Sequence, residues 1–309
     1  MMSIQEIRKQ MDSIKKTSQI TNAMALVSTT KYNSIVETSS HYQLYAQQLE
    51  EIVQHLVSHV RNLEDAQELE VDWDERFRLI NFKDFLTNRK VKDVGYMVIT
   101  SDKGLAGSYN SQIIKRFEEV IKDRHDSKDE FVVFAIGEPI VKYCKENGIQ
   151  IAHELHNLPD YPTYTQVQKI VQKSVELFKN ETYDQLDLIY NHSKNALQTE
   201  VYVHQMLPLK GPDIEHVDVS TDEYILEPNL TEVLEMLIPM YAESFIYGSI
   251  IDAKTAEQGS RMQAMQQATE NAEEIIDHLN HEYNQQRQIK ITNEIIEVIN
   301  GASAQESGK

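Results

Sequence analysis

The chain has 309 residues, 40% hydrophobic and 26% charged, a balance that supports a buried core in one large or two modest folded units. A formal net charge of -19 argues against nucleic acid and anionic lipid as partners, because a surface of that sign repels both. A single cysteine, Cys144, excludes an internal disulfide framework and a cysteine-only zinc site, and reads as a small core thiol in a reducing compartment.

No run approaches the roughly 18 consecutive apolar residues that a bilayer span needs. No apolar leader with a small-residue cleavage site opens the chain, so a soluble, non-secreted protein without direct membrane insertion is expected.

Glycine and proline punctuate a sequence, and neither occurs before Gly95. In that stretch Ile4, Ile7, Met11 and Ile14 step by three and four, and Tyr42, Tyr45, Leu49, Ile52, Leu56, Val60 and Leu63 do the same. The pattern predicts one long helix over 1–62 with a narrow apolar seam. Residues 63–92, with the run LEDAQELEVDWDE, read as an acidic linker or insertion.

A different texture follows over 93–228. Strands are expected at Val94–Thr100, Phe131–Gly137, Ile149–Leu155, Leu186–Asn191 and Val201–Leu209. Helices are expected between them at Ser111–Lys122, Pro139–Asn147 and Gln166–Asn180. Alternation of this kind predicts an α/β domain with a largely parallel, Rossmann-like sheet covered by helices.

The last segment, 229–309, returns to a helical seam through Met262, Met265, Thr269, Ala272, Ile276, Leu279 and Tyr283. Pro239 is expected to interrupt it, leaving a short helix before the proline and a long one from about Met240 to Asn300. By segment the net charges are +1 over 1–62, -12 over 63–228 and -8 over 229–309, so only the first helix escapes the acidity. Two long helices with seams too narrow to stand alone in water should pair as an antiparallel coiled coil, because the domain between them returns the chain to its own exit.

Candidate chemistry is sparse. The turn TSDKGLAGSYN, Thr100 to Asn110, follows a strand and holds Gly104 and Gly107, but has neither P-loop order nor the three-glycine dinucleotide fingerprint. His55 with His59, and His278 with His281 and Glu282, have helical spacing without a third metal ligand in place. Asp102 and Lys103 lack an accompanying nucleophile and base, so the residues predict a non-catalytic chain with no metal and no cofactor. A dimerising coiled coil, a scaffold and a shaft held inside other subunits all fit this pattern.

The termini carry a resemblance that separates these readings. The stretch ITNEIIEVINGASA, Ile291 to Ala304, resembles the C-terminal signature ITxExxEIxxGAxA of the gamma-chain family of F-type ATP synthases. SRMQAMQQATENA (Ser260 to Ala272), EIRKQMDSIKKTSQITNAMALVSTTK (Glu6 to Lys31) and the TSDKGLAGSYN turn resemble further family stretches. The resemblance implies a rotor shaft whose terminal helices run inside a hexamer of three alpha and three beta subunits. It also implies an α/β domain that meets epsilon and the ring of c subunits, on the cytoplasmic face of a bacterial cell membrane. It places Arg287, Gln288, Thr292 and Glu294 at or near the beta and alpha loops that grip the shaft, with Met24 on the facing helix and Arg261 lower down. Each would act mechanically and electrostatically, ATP being made on beta. The chain departs from the family pattern at Tyr32, Asn33 and Ser34, where a basic cluster is frequent, at Asn293 in place of glutamine, and at Ala106 in place of a turn cysteine.

Overall fold

The computed structural model describes residues 3–64, 90–196, 198–208, 226–227 and 230–306. In chain order the elements are α1 (Ile4–Glu64), β1 (Val94–Ile99), α2 (Tyr109–Arg124), β2 (Phe131–Ile136), α3 (Glu138–Asn147), β3 (Ile151–Leu155), α4 (Tyr164–Lys179), β4 (Gln185–Asn195), β5 (Gln198–Leu207) and α5 (Leu230–Glu306). The expected acidic segment 63–92 falls almost wholly outside the described residues.

The sheet is five-stranded in the order β3-β2-β1-β4-β5. Strands β1 to β4 pair in parallel, whereas β5 runs antiparallel to β4. That exception follows from connection length: β4 ends at Asn195 and β5 begins at Gln198, too short for the crossover that a parallel pair requires.

Alternation along the strands builds two cores. Val94, Tyr96 and Val98 of β1 and Phe131, Val133 and Ala135 of β2 face Ile113 and Phe117 of α2 and Ile140, Val141 and Cys144 of α3. Met97 and Ile99, with Phe134 and Ile136, face the other way, onto Val167, Ile170 and Val171 of α4 and onto Ala242, Ile246 and Ile250 of α5. A period of two thus sends one strand's side chains into both layers. Cys144 belongs to the first core, where burial pushes its thiol up to about 12 and removes it from thiolate chemistry.

Proline does not break the last helix, which runs from Leu230 to Glu306 through Pro239. The missing N–H and ring clash cost about 3 kcal/mol. The next turns bury Ala242, Ile246 and Ile250, and a fully buried isoleucine contributes roughly 1.5–3 kcal/mol, so packing outweighs the defect.

The chain divides into two compact units. Thr30–Ser260 holds the sheet, its covering helices and the adjoining parts of α1 and α5. Within it Tyr42 donates to Ser244 at 2.8 Å, its ring lies 4.5 Å from that of Tyr247, and Gly259 lies beside the Tyr32 ring. Numbers rising on α1 while falling on α5 mark an antiparallel pair. Tyr45, expected in the seam, is instead exposed, its ring 5.9 Å from that of Tyr42.

The second unit joins α1 up to Thr29 with α5 from Arg261. Its register is fixed by the Thr21–Thr269 hydroxyl pair at 2.7 Å. Stepping seven residues in opposite directions sets Ile14 opposite Ile276, then Ile7 opposite Tyr283. Ile7, Met262, Met265, Ala272 and Leu279 are buried, so the seam read from sequence is the contact line.

Candidate functional site

From that register, the start of α1 at Ile4 lies opposite about Gln286, and no described residue of α1 faces α5 beyond it. From Arg287 to Asn300 every residue is exposed. The exposed side chains there include Ile289, Ile291, Ile295, Ile296, Val298 and Ile299, at 42–71%. An apolar concentration of this size in water marks an interaction surface.

Helical geometry sorts the segment into two faces. Arg287, Lys290, Glu294 and Glu297, at i, i+3, i+7 and i+10, share a charged face on which Lys290 lies 3.8 Å from Glu294. Gln288, Thr292, Ile295 and Ile299 share another, joined by Ile291 and Val298. Thr292 donates its hydroxyl back to the Gln288 carbonyl at 2.9 Å, which satisfies the hydroxyl within the helix. The surface can therefore slide against an apolar wall on one side and be read by charge on the other.

Four of the residues singled out in the sequence, Arg287, Gln288, Thr292 and Glu294, come together on this segment. Met24 is half-buried on α1. Arg261 differs from the rest: it is 6% exposed, withdrawn from solvent. The isoleucine-rich stretch lies beyond the seam read from sequence, which ended at Tyr283, and its exposure depends on where α1 begins.

The turn after β1 has a structural role. Asp102 accepts backbone N–H bonds from Glu138 at 3.0 Å and Asn157 at 2.7 Å, so its carboxylate caps the start of α3 and ties the β1, β2 and β3 exits together. Asn110 accepts from the Ser101 N–H at 2.9 Å, and Gly107 supplies a left-handed turn at φ 58°. His278 sits 3.8 Å from Glu282 on an exposed face, and no group of three or more His, Cys, Asp or Glu among the described residues could hold a metal ion. No helix of the described residues is long and apolar enough to cross a membrane.

Comparison with known proteins identifies the family and supports the fold. A family model described as ATP synthase matches residues 3–305. The ATP synthase gamma chain of Lacticaseibacillus paracasei is 41% identical over 305 residues, spanning 98% of this chain and 99% of that one. The gamma chain of Enterococcus hirae is 43% identical over 304 residues with the same coverage. Among solved structures, a chain of the Euglena gracilis mitochondrial ATP synthase, in an assembly of OSCP, F1 and c-ring, superposes with a TM-score of 0.65 at 16% identity, covering 99% of this chain and 95% of that one. A chain of the Tetrahymena thermophila central stalk and c-ring gives 0.56 at 22% identity, covering 81% and 99%. With near-complete coverage by bacterial relatives above 40% identity, the chain belongs to the ATP synthase gamma-chain family.

Proposed function

We propose that this chain is the central rotor shaft of an F-type ATP synthase, coupling proton-driven rotation of the c-ring to ATP synthesis on beta, or hydrolysis to proton pumping. The observation that carries the reading is identity above 40% to gamma chains along 98% of the length. The long antiparallel helix pair ending in a bare, two-faced segment supports it, since one asymmetric shaft presents a different face to each surrounding catalytic site. Each site is then biased toward a different conformation and nucleotide affinity, and rotation exchanges the biases. Catalysis belongs to beta, and the shaft acts by contact.

In this reading Arg287 and Glu294 on the charged face, and Gln288 and Thr292 beside the isoleucines, meet the beta and alpha loops, with Met24 at the paired part of the helices. Arg261 contributes its contact lower on the shaft. The α/β domain meets epsilon and the c-ring, and the complex lies at the cytoplasmic face of a bacterial membrane, with this subunit peripheral to the bilayer.

The test is to mix the purified chain with cognate alpha and beta and measure complex mass and ATP hydrolysis. The expected result is a hexamer holding one copy of this chain, with sustained turnover only when it is present. Failure both to assemble and to stimulate turnover would overturn the reading. Within such a complex, deleting the chain from Ile291 onward should lower torque or assembly yield several-fold and leave epsilon binding largely intact. Undiminished torque and yield would remove this segment from the bearing.

A further inference from the structure

The Thr30–Ser260 unit contains a polar junction at which the β3–α4 connection reaches both long helices. Asp160, with a side chain 10% exposed, accepts from Lys31 of α1 at 2.6 Å, from Lys103 of the turn after β1 at 3.0 Å, and from Gln258 of α5 at 3.5 Å. Two residues earlier, the Leu158 carbonyl accepts from Lys254 of α5 at 3.2 Å. One residue later, Tyr161 donates to the main-chain carbonyl of Lys31 at 3.5 Å. The first turns of α4 continue the grip, with Tyr164 donating to Glu243 of α5 and Gln168 donating to the same carboxylate at 3.2 Å.

The physical character of these bonds differs from that of the cores around them. Apolar burial is non-directional. A twisting load between helices and a domain is a sliding load. Charge-assisted hydrogen bonds are directional and roughly twice as strong as neutral ones, and a partly buried pair is screened little by salt.

We infer that Asp160 is a positioning residue that locks the α/β domain to both long helices against torsion, acting through Lys31, Lys103 and Gln258. The inference rests on the rotor reading above. Torque on such a shaft enters at one part of the chain and leaves at another, so the junction sets how much rotation is lost as twist.

The charge state fits this role. Burial alone would raise Asp160, but hydrogen bonds from Lys31 and Lys103 outweigh it and hold the carboxyl below its ordinary value of 3.8. A depressed acid contributes stability above its unfolded value and loses it as pH falls through the folded one. The free chain should therefore lose stability as pH drops below about 4, and Asp160→Asn should lack that share of the acid sensitivity when melting is followed against pH.

The decisive experiment uses the complete synthase in vesicles, comparing wild type, Asp160→Asn and Asp160→Glu. Three quantities are read: ATP hydrolysis, protons pumped per ATP, and the angular fluctuation of a probe on the α/β domain while the alpha–beta hexamer is held fixed. For Asp160→Asn we expect hydrolysis near wild type, a broader angular distribution and a several-fold lower pumping ratio, with recovery in Asp160→Glu. Unchanged fluctuation and pumping in Asp160→Asn would overturn the inference. Should that variant fail to fold, Lys103→Gln removes a donor whose side chain is 63% exposed, and the same shifts at smaller size are expected. Their absence there is equally fatal. Failure of the wild-type chain to assemble with alpha and beta would strike the rotor reading instead.

Discussion

Glu257→Ala is expected to destabilise the chain by about 3–5 kcal/mol, the range found when one partner of a buried ion pair is removed. Glu257 is 1% exposed and Lys254 is 5% exposed, one helical turn apart on α5, with Nζ and Oε2 at 3.1 Å. Lys254 also donates to the Leu158 carbonyl, so its ammonium is fixed in place and cannot swing into water when the carboxylate goes. The loss is thus the cost of a stranded charge more than the value of the pair. Replacing both residues, Lys254→Met with Glu257→Leu, should recover part of the stability, because apolar side chains of similar volume carry no desolvation cost while the Leu158 carbonyl loses its donor. Urea unfolding of the free chain, followed by circular dichroism, would check both. A double variant as unstable as Glu257→Ala would show that the pair is worth more than its burial costs.

Gly137→Ala is expected to rival it. Gly137 closes β2 at φ 96° and ψ 149°, a region that costs a residue with a side chain about 1–3 kcal/mol. A Cβ there would lie 2.5 Å from the Thr100 main-chain oxygen and 2.6 Å from its hydroxyl. The backbone cannot yield cheaply, since Thr100 and Gly137 are each bonded to a neighbouring strand exit, Thr100 N–H to Ile136 and Gly137 N–H to Leu155. Overpacking adds about 1–3 kcal/mol, so a total of about 2–6 kcal/mol follows. Gly104→Ala is the control: a Cβ there meets nothing within 4 Å, and its stability should stay within about 1 kcal/mol of wild type. Thermal melts of the two variants should differ by many degrees, and equal melts would refute the steric account.

What the sequence revealed depended on the range of the interaction. Helical seams and buried strands are local patterns, so Met262, Met265, Ala272 and Leu279 could be assigned to a contact line, and VGYMVI to a central strand, without any knowledge of partners. The antiparallel setting of β5 was not legible, because the strands expected at Leu186–Asn191 and Val201–Leu209 left nine residues between them, whereas the pairing extends both strands to Asn195 and Gln198 and leaves no room for a crossover. Pro239 misled because a local rule was weighed without the packing of Ala242, Ile246 and Ile250 that overrides it. Asp160 was invisible for the opposite reason. Its partners lie 129, 57 and 98 residues away, and no spacing rule joins them. The terminal residues Arg287, Gln288, Thr292 and Glu294 were singled out through resemblance, and their division between a charged and an apolar face follows from helical spacing, but their exposure needed the start of α1 to be located.

The meeting of the two chain ends has a consequence for biosynthesis. Thr21 and Thr269 are 248 residues apart, so at the usual pace of translation, 5–20 residues per second, the first half of α1 exists for roughly 12–50 s before its partner strand of helix is made. During that time Ile7, Met11 and Ile14 have nothing to cover them, and a lone amphipathic helix with an open seam is a substrate for chaperones and a seed for aggregation. The earliest-made part of this chain is the last to find its native neighbour, and its nascent form is the state most in need of a temporary one.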